Sequence, residues 1–459
     1  MKSLKKLLAL MLAFVMVLAL AACGGGGDDE EGEIGGDDDF DDYPLTIKVW
    51  QCNTGNGQEY LASAAADFNA SQDKYIIDMS YGGSYQDVLL KISTSTKDSR
   101  PDIFASDTES MYPILANQEL FVPIQTWIDK DGYDMSHMIT NLANTYSVDG
   151  VWQCMPLGNT VTGFFYNDDV LAANGIDARA DLNSYQEILE ACRTLKAAGV
   201  AHPFYMHSSS GFYSFPMTAQ GIQYVDNNNG KDAVPTRCLI GDEGGEAYKA
   251  TVDFFQFLKT MTEEDLMLPF GTTVADGRAE FVNQNCVIYS EFISSYHTVV
   301  TAVADAFTTG FHECPTITKG AANVGQCTGG GCFFLANTGE DRRQEGAWEF
   351  MKFLMQDEYT AGFAEATGYL PTTITGFESA EYQSFIAKEF PTAKYSIEAQ
   401  ENTSADCYNA WLPMFSDFHQ LCREYYSKAC TESKSAEELT VAFAGEVDEC
   451  IDFWHASND

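Results

Sequence analysis

The order of strand-like and helix-like segments early in this 459-residue chain restricts its fold more than any other feature. Residues 46–51 alternate apolar and polar side chains, residues 58–69 are rich in alanine, and residues 75–81 return to a strand-like pattern. A second helix is predicted over residues 85–96, and a third strand over residues 102–107. Strands that alternate with helices in this way build a parallel sheet covered by helices. The sequence therefore predicts an α/β fold.

Later segments continue the alternation and bring enough chain for two domains. Strands are predicted over residues 163–167 and 285–290. A helix is predicted that Asn183 or Ser184 caps and Gly199 ends, and a long helix over residues 344–367. Roughly 400 residues with ordinary apolar content can bury two separate cores. We expect two α/β domains.

The first 23 residues predict export and a lipid anchor. Lys2, Lys5 and Lys6 precede an apolar run over residues 7–20, which is too short to span a membrane and typical of a signal peptide. The run ends in small residues before Cys23, and this ending resembles the bacterial lipoprotein signal. We therefore predict a signal peptide over residues 1–22 and acylation of Cys23. The alternative is an ordinary cleaved signal that a cysteine follows by chance.

Residues 23–43 predict an extended tether. Four glycines follow Cys23, and ten acidic residues come after them with almost nothing apolar to bury. Such a segment stays solvated and holds a domain away from the membrane. A calcium site is the alternative, but the spacing of an EF-hand loop is missing.

Charge and cysteine content limit the possible partners. The net charge of −41 repels phosphate backbones, so nucleic acid is not an expected partner. Twelve cysteines remain besides Cys23, without a paired zinc spacing, and no cofactor or metal is expected. Cys314 with Cys327 and Cys422 with Cys430 are close in sequence, but the pairing stays open, and buried thiols are the alternative.

Several short motifs follow one another along the chain in a characteristic order. The sequence resembles the family 1 extracellular solute-binding proteins of ABC importers, which include maltose- and glycerol-3-phosphate-binding proteins. The residues that carry the resemblance are Ile47-Lys48-Val49-Trp50, Asp67-Phe68-Asn69, Tyr81-Gly82-Gly83-Ser84-Tyr85, Arg100-Pro101-Asp102-Ile103, Phe165-Tyr166-Asn167-Asp168-Asp169-Val170-Leu171, Gly329-Gly330-Gly331, Ala347-Trp348-Glu349-Phe350 and Thr367-Gly368-Tyr369-Leu370-Pro371.

The resemblance implies a periplasmic-binding-protein-like fold of type II, with a ligand cleft between two lobes that hinge crossovers join. The crossovers are expected near residues 158–163, 294–307 and 335–340. The first lobe would then comprise residues 44–158 and 304–337, and the second lobe residues 159–303 and 338–459. A hinge motion would close the lobes on the ligand. The resemblance also implies a monomer that serves two ABC permease subunits at the outer face of the cell membrane.

A sugar cleft needs flat apolar side chains for the ring and polar groups for the hydroxyls. Mapping the family pattern onto this sequence gives candidates at strand ends, glycine turns and crossovers. The candidate ligand-binding residues are Trp50, Tyr85, Asp107, Glu109, Asn159, Phe212, Tyr213, Glu291, Gly330, Tyr369 and Trp411. Several have structural alternatives: Trp50 as core, Asp107 as a helix cap, Gly330 as a turn, and Phe212 and Tyr213 as loop packing.

The expected class of ligand depends on residues 407–411, in the late part of the chain. The resemblance implies an arginine there when the ligand is glycerol-3-phosphate, but residues 407–411 carry no basic side chain and Arg423 lies beyond them. A neutral carbohydrate is therefore the expected ligand, with a phosphoester as the alternative. A secreted glycoside hydrolase using Asp107 with Glu291 is a third possibility, but the sequence contains no His-Glu-x-x-His or Gly-x-Ser-x-Gly motif. We expect a binding protein and not an enzyme.

Overall fold

The structure is a computed structural model, and it describes residues 43–269, 271, 274–405 and 407–458. The predicted signal peptide (1–22), Cys23 and the predicted tether up to residue 42 lie outside the described residues. The described residues from Tyr43 onward form one compact unit that contains two main sheets.

The first sheet holds the predicted parallel strands. Its strands are β1 (Leu45–Gln51), β2 (Tyr75–Tyr81), β3 (Ile103–Asp107), β4 (Phe121–Val122), β7 (Met155–Pro156) and β12 (Gly331–Ala336). The strands run in the order β2-β1-β3-β12-β4, and β7 pairs with β12. Both β2 and β3 are parallel to β1, as the sequence predicts, whereas β12 is antiparallel to β3. Every residue of β12 is buried, as expected for a strand that is central in its sheet.

Helices from both halves of the chain cover this sheet. They are α1 (Asn56–Ser71), α2 (Tyr85–Ser93), α3 (Met111–Leu115), α4 (Gln125–Asp131), α5 (Thr140–Tyr146), α13 (Asp341–Leu354) and α14 (Asp357–Thr367). Helix α2 begins at a capping box, in which the Ser84 and Asp87 side chains satisfy each other's backbone N–H groups. A small ladder of β5 (Ser147–Val148) and β6 (Val151–Trp152) follows α5.

The second sheet is mixed, in the order β11-β8-β10-β9. Its strands are β8 (Thr162–Asn167), β9 (Phe204–Tyr205), β10 (Ile288–Phe292) and β11 (Thr309–Glu313). Strand β8 is buried along its whole length and pairs antiparallel with both β10 and β11. The carboxyl ends of β9 and β10 lie at the same edge, because these two strands are parallel.

The helices of the second half pack mainly around this sheet. They are α6 (Asp168–Ala173), α7 (Ala178–Asp181), α8 (Tyr185–Ala197), α9 (Gly211–Ala219), α10 (Glu246–Glu263), α11 (Val274–Val282), α12 (Tyr296–Val303), α15 (Ile374–Glu378), α16 (Ala380–Glu389), α17 (Ala393–Glu401), α18 (Phe415–Thr431) and α19 (Ala436–Asn458). The largest apolar cluster joins α8, α10, α18 and α19 over one face of the sheet.

The chain crosses between the lobes at three segments that hydrogen-bond to one another. The first crossover, between β7 and β8, lies where the sequence predicts it. The other two differ from the prediction: β11 still pairs with β8, so the return to the first sheet occurs between Glu313 and Gly331. Residues 341–367 remain on the first lobe, because α13 packs on β1 and α14 on α1. The predicted boundaries at 304 and 338 are therefore wrong, since β11 belongs to the second lobe and α13 and α14 to the first.

The predicted long helix over residues 344–367 is two helices. Helix α13 ends at Leu354, and α14 begins at Asp357 after Gln356, which has an extended backbone. The break lets each helix keep its own apolar face: Trp348 and Phe350 face the first sheet, while Ala361 and Ala364 pack against an apolar cluster of the second lobe.

Candidate ligand cleft

The carboxyl end of β3 supplies a pair of carboxylates. Asp107 is the last residue of the strand, and its Oδ1 accepts a hydrogen bond from the Ser110 backbone N–H at 2.6 Å. Asp107 is not the helix cap that the sequence suggested as an alternative, because Ser110 is the N-cap of α3, but its carboxylate orders the turn before that helix. Burial raises the pKa of Asp107, and the backbone hydrogen bonds oppose that shift.

Glu109 lies beside Asp107 and has an unusual protonation equilibrium. Burial raises the pKa of its carboxyl to about 8, and the neighbouring Asp107 charge adds to the shift. The side chain nevertheless keeps contact with solvent. In the described part of the chain, neither Asp107 nor Glu109 forms a salt bridge. Near neutral pH the Glu109 carboxyl can therefore donate its proton in a hydrogen bond.

Two tyrosines stand next to the carboxylates. Burial raises the pKa of Tyr369 to about 12 and places that of Tyr85 well above its ordinary value, and the Asp107 charge contributes to both shifts. The Tyr369 ring lies so close to Gly158 that a Cβ there would come within 2.7 Å of it. The Tyr85 hydroxyl approaches Gly331 in the same manner, at 2.8 Å. The structure therefore brings Tyr85, Asp107, Glu109 and Tyr369 together at one edge of the first sheet.

Gly330 holds two crossovers together at the floor of this site. Its φ of +118° is a backbone conformation that other residues rarely adopt, and a Cβ would lie 2.3 Å from the Gly158 carbonyl oxygen. The Gly330 carbonyl accepts hydrogen bonds from the Tyr146 hydroxyl and the Thr108 N–H, each at 3.3 Å. The glycine is required by backbone packing, and its carbonyl is already engaged.

Trp411 reaches from the second lobe to the first. Its ring centroid lies 5.5 Å from that of Tyr112 on α3, and the side chain is 9% exposed. The indole belongs to the apolar cluster of the first lobe, whereas Ala410 and Leu412 belong to that of the second lobe. A groove of about 490 Å³ runs along this contact, and both lobes line it. Trp411 thus forms one wall between the lobes.

Asn159 was predicted as a ligand contact, and the structure corrects this. The residue is 0% exposed, and its amide is fully used by protein partners. Asn159 and Gln400 exchange two amide hydrogen bonds of 2.7 Å, and Thr328 donates to the Asn159 Oδ1 at 2.7 Å. The second amide hydrogen goes to the Pro371 carbonyl. With both donors and both acceptor positions occupied, this side chain fastens the crossovers.

The predicted aromatic platform is wrong for Tyr213 and only partly right for Phe212. Helix α9 is apolar on every side and buried along its whole length, so both rings enter the second-lobe core. Tyr213 is 1% exposed, and its hydroxyl bonds Thr251 at 2.6 Å. Phe212 contacts Phe292, which follows Glu291 at the end of β10 and stays partly exposed. Phe212 therefore packs behind Phe292 and does not itself form the surface of the cleft wall.

Glu291 and Trp50 each lie near a basic side chain of the protein. Glu291 is 1% exposed, its Oε2 lies 3.5 Å from the Arg278 guanidinium, and burial raises its pKa to about 7. It is a buried ion-pair partner and not an exposed acid. Trp50 packs against α2, with the Lys91 ammonium 5.9 Å from its ring centroid. The burial of Glu291 does not support its predicted ligand contact, whereas the contact of the partly exposed Trp50 stays a prediction.

Sequence reasoning missed Tyr112 and Tyr146, which border the site. Tyr112 follows Glu109 by three residues on the short helix α3, and this proximity to a strand end was the available signal. Tyr146 lies at the end of α5, and only the long-range contact with Gly330 places it here. Within the described residues, no cluster of His, Cys, Asp or Glu could hold a metal ion, and no helix is long and apolar enough to cross a membrane.

A family profile described as bacterial extracellular solute-binding protein matches residues 63–391. The chain belongs to this family. A relative in Brucella melitensis, the sn-glycerol-3-phosphate-binding periplasmic protein UgpB, is 23% identical over 352 residues, which are 74% of this chain and 77% of the relative.

Solved structures confirm the predicted two-lobed fold of solute-binding proteins. The sugar-binding protein MalE from Xanthomonas citri superposes with a TM-score of 0.72 at 16% identity, covering 90% of this chain and 100% of that chain. UgpB from Mycobacterium tuberculosis, solved with glycerophosphocholine, gives a TM-score of 0.70 at 16% identity, covering 90% and 99%. At such low identity the likeness concerns the fold alone.

Proposed function

We propose that this protein captures a neutral carbohydrate outside the cell and delivers it to the permease subunits of an ABC importer. The observation that carries the proposal is the pair Asp107 and Glu109, which lies beside Tyr85 and Tyr369 without a salt-bridge partner in the described part of the chain. Hydroxyl groups satisfy a pair of carboxyls in any protonation state, because each hydroxyl both donates and accepts a hydrogen bond. The tyrosine rings offer flat apolar surface to a sugar ring.

A phosphoester is the second candidate, favoured by the name of the Brucella relative. Against it stands the chemistry of the site, since phosphates bind best to basic side chains and Asp107 and Glu109 are both acidic. Arg423 faces a separate cavity of about 970 Å³ in the second lobe, together with Ser208 and Gln420. No catalytic role is proposed, because Glu291 is buried in an ion pair and cannot partner Asp107 on a substrate.

A thermal-shift screen of residues 44–459 tests the ligand class. A ligand that binds only the folded protein stabilises it by about 2.7 kcal/mol at a hundredfold excess over its dissociation constant. We expect a shift with a neutral mono- or oligosaccharide and none with glycerol-3-phosphate. Tyr369→Ala should abolish the shift, whereas Phe453→Ala, at an exposed position on the C-terminal helix α19, should keep it. A shift with glycerol-3-phosphate alone would refute the carbohydrate assignment.

We further propose that Cys23 is acylated and that the acidic segment tethers the folded protein to the membrane as a monomer. Expression of the full chain in a bacterial host should place it in the membrane fraction, and Cys23→Ser should release it into the soluble extracytoplasmic fraction. Equal partition of both forms would contradict the anchor.

A further inference from the structure

Two cysteine thiols that are 80 residues apart in the chain meet below the loop that leads to Trp411. The Sγ atoms of Cys327 and Cys407 lie 3.7 Å from each other. Both side chains are buried in a small apolar cluster with Cys314 and Phe215. The sequence had suggested Cys314 as a neighbour for Cys327, but the closest sulfur contact is made by Cys407.

The backbone already holds the two thiol-bearing segments in register. The Ser404 N–H donates to the Val324 carbonyl at 2.8 Å, and the Gln326 N–H donates to the Thr403 Oγ1 at 2.9 Å. Thr403 also packs so closely on Gly325 that a Cβ there would come within 2.5 Å. A disulfide requires a sulfur separation of about 2 Å, so the sulfurs need to approach by less than roughly 2 Å. Side-chain rotation supplies a movement of this size without breaking the backbone contacts.

We propose that Cys327 and Cys407 form an oxidation site that a low-molecular-weight disulfide converts into an intramolecular cross-link. One thiol loses its proton and attacks a sulfur of the small disulfide, which releases one small thiolate and leaves a mixed disulfide. The second cysteine thiolate then attacks the protein sulfur of that mixed disulfide and displaces the other small thiolate. The two protons that the cysteines lose are taken up by the two small thiolates, directly or through solvent. The protein dithiol is thereby oxidised to a disulfide, and the small disulfide is reduced to two thiols.

The reaction should be faster in the folding chain than in the folded protein. Contact with Cys327 and burial both raise the pKa of the Cys407 thiol, so the folded protein holds little of the reactive thiolate. The cross-link should therefore form while the chain folds in the presence of the small disulfide, and slowly once folding is complete. The backbone contacts of residues 324–326 with Thr403 and Ser404 determine which cysteines meet.

Peptide mapping tests the proposal on the full chain. The reduced, unfolded protein is refolded with oxidised and reduced glutathione, the remaining thiols are alkylated, and the digest is analysed by mass spectrometry. We expect one linked pair of peptides containing Cys327 and Cys407, about 2 Da lighter than the sum of the two thiol forms because two hydrogens have left. Alkylation of both thiols, or linkage of Cys327 to Cys314, would overturn the proposal.

Variants separate the cross-link from a general effect of oxidation. Oxidised wild type should melt at a higher temperature than the reduced protein, since the bridge restricts the unfolded chain. Cys327→Ser and Cys407→Ser should each abolish this difference, whereas Cys422→Ser, a buried cysteine elsewhere in the second-lobe core, should keep it. A difference that persists in both cluster variants would overturn the proposal. Mapping of the wild type stands even if a variant fails to fold, and neither readout depends on the proposed ligand.

Discussion

Replacing Glu109 by glutamine should make the protein more stable in alkaline solution. The folded state holds the Glu109 proton up to about pH 8, whereas the ordinary value for this carboxyl is 4.5. Over the window between these values the folded state binds a proton that the unfolded chain has released, so stability falls as the pH rises. Glutamine has no proton to lose, and Glu109→Gln should therefore be less sensitive to pH across this window.

The size of the effect follows from the two pKa values and the solvent contact. A difference of one in pKa corresponds to about 1.4 kcal/mol, so the whole window sets an upper limit of about 5 kcal/mol. Because Glu109 keeps contact with water, which screens its charge, we expect about 1–2 kcal/mol. At pH near 5 the two proteins should have nearly equal free energies of unfolding, and the variant should exceed wild type as the pH approaches 9.

Urea unfolding of residues 44–459 at several pH values, followed by fluorescence, measures these free energies. Glu119→Gln is the matched control, because it is the same exchange at an exposed position of the same lobe. The control should follow the wild-type dependence on pH. Parallel curves for wild type and Glu109→Gln, or a variant that is less stable than wild type in alkaline solution, would refute the assignment of a raised pKa to a buried carboxyl pair.

Three further substitutions probe the hinge and the cleft wall. Asn159→Ala leaves Gln400 without its buried amide partner and should lower the free energy of unfolding by about 2–4 kcal/mol in urea titrations, whereas an unchanged midpoint would contradict the network. Gly330→Ala should cost clearly more than Gly150→Ala in the same assay, because both have positive φ but only Gly330 lacks room for a Cβ; equal costs would argue against the close approach. Trp411→Ala should weaken any sugar-induced rise in melting temperature without destroying the fold. An unaltered rise would show that the indole is not part of the ligand cleft.

The site could be predicted where it rests on local sequence and not where it rests on distant partners. Asp107 and Tyr85 follow from their places after a strand and at a helix start, and Tyr369 from its glycine turn. From the sequence alone, Asn159 at a crossover and Glu291 at a strand end are equally plausible ligand contacts. Their burial arises from Gln400 and Arg278, which no local pattern connects to them. For the same reason Tyr146 was missed, although its hydroxyl bonds the Gly330 carbonyl.

The prediction of the domain boundaries was wrong for a related physical reason. The pattern of a strand tells which residues alternate but not which sheet they join, and nothing in the residues of β11 and β12 shows that the two belong to different sheets. The return to the first sheet follows β11 because that strand completes the edge beside β8. Helix α14 gives no local sign of its lobe either, since it contacts α1 on one face and the second-lobe cluster on another.

The position of Trp411 connects the hinge, the cleft and the thiol pair. Opening the lobes must withdraw the indole from Tyr112, and exposing such a ring to water costs roughly 2 kcal/mol. A cross-link between Cys327 and Cys407 would act on the base of the same loop, but its apolar surroundings include Phe215 of α9 in the second lobe. The bridge would tie this loop to the crossover that contains Cys327, and the Gln326 carbonyl of that crossover accepts a hydrogen bond from the Asn141 amide of the first lobe. On this argument, oxidation should hold Trp411 more firmly relative to the crossover.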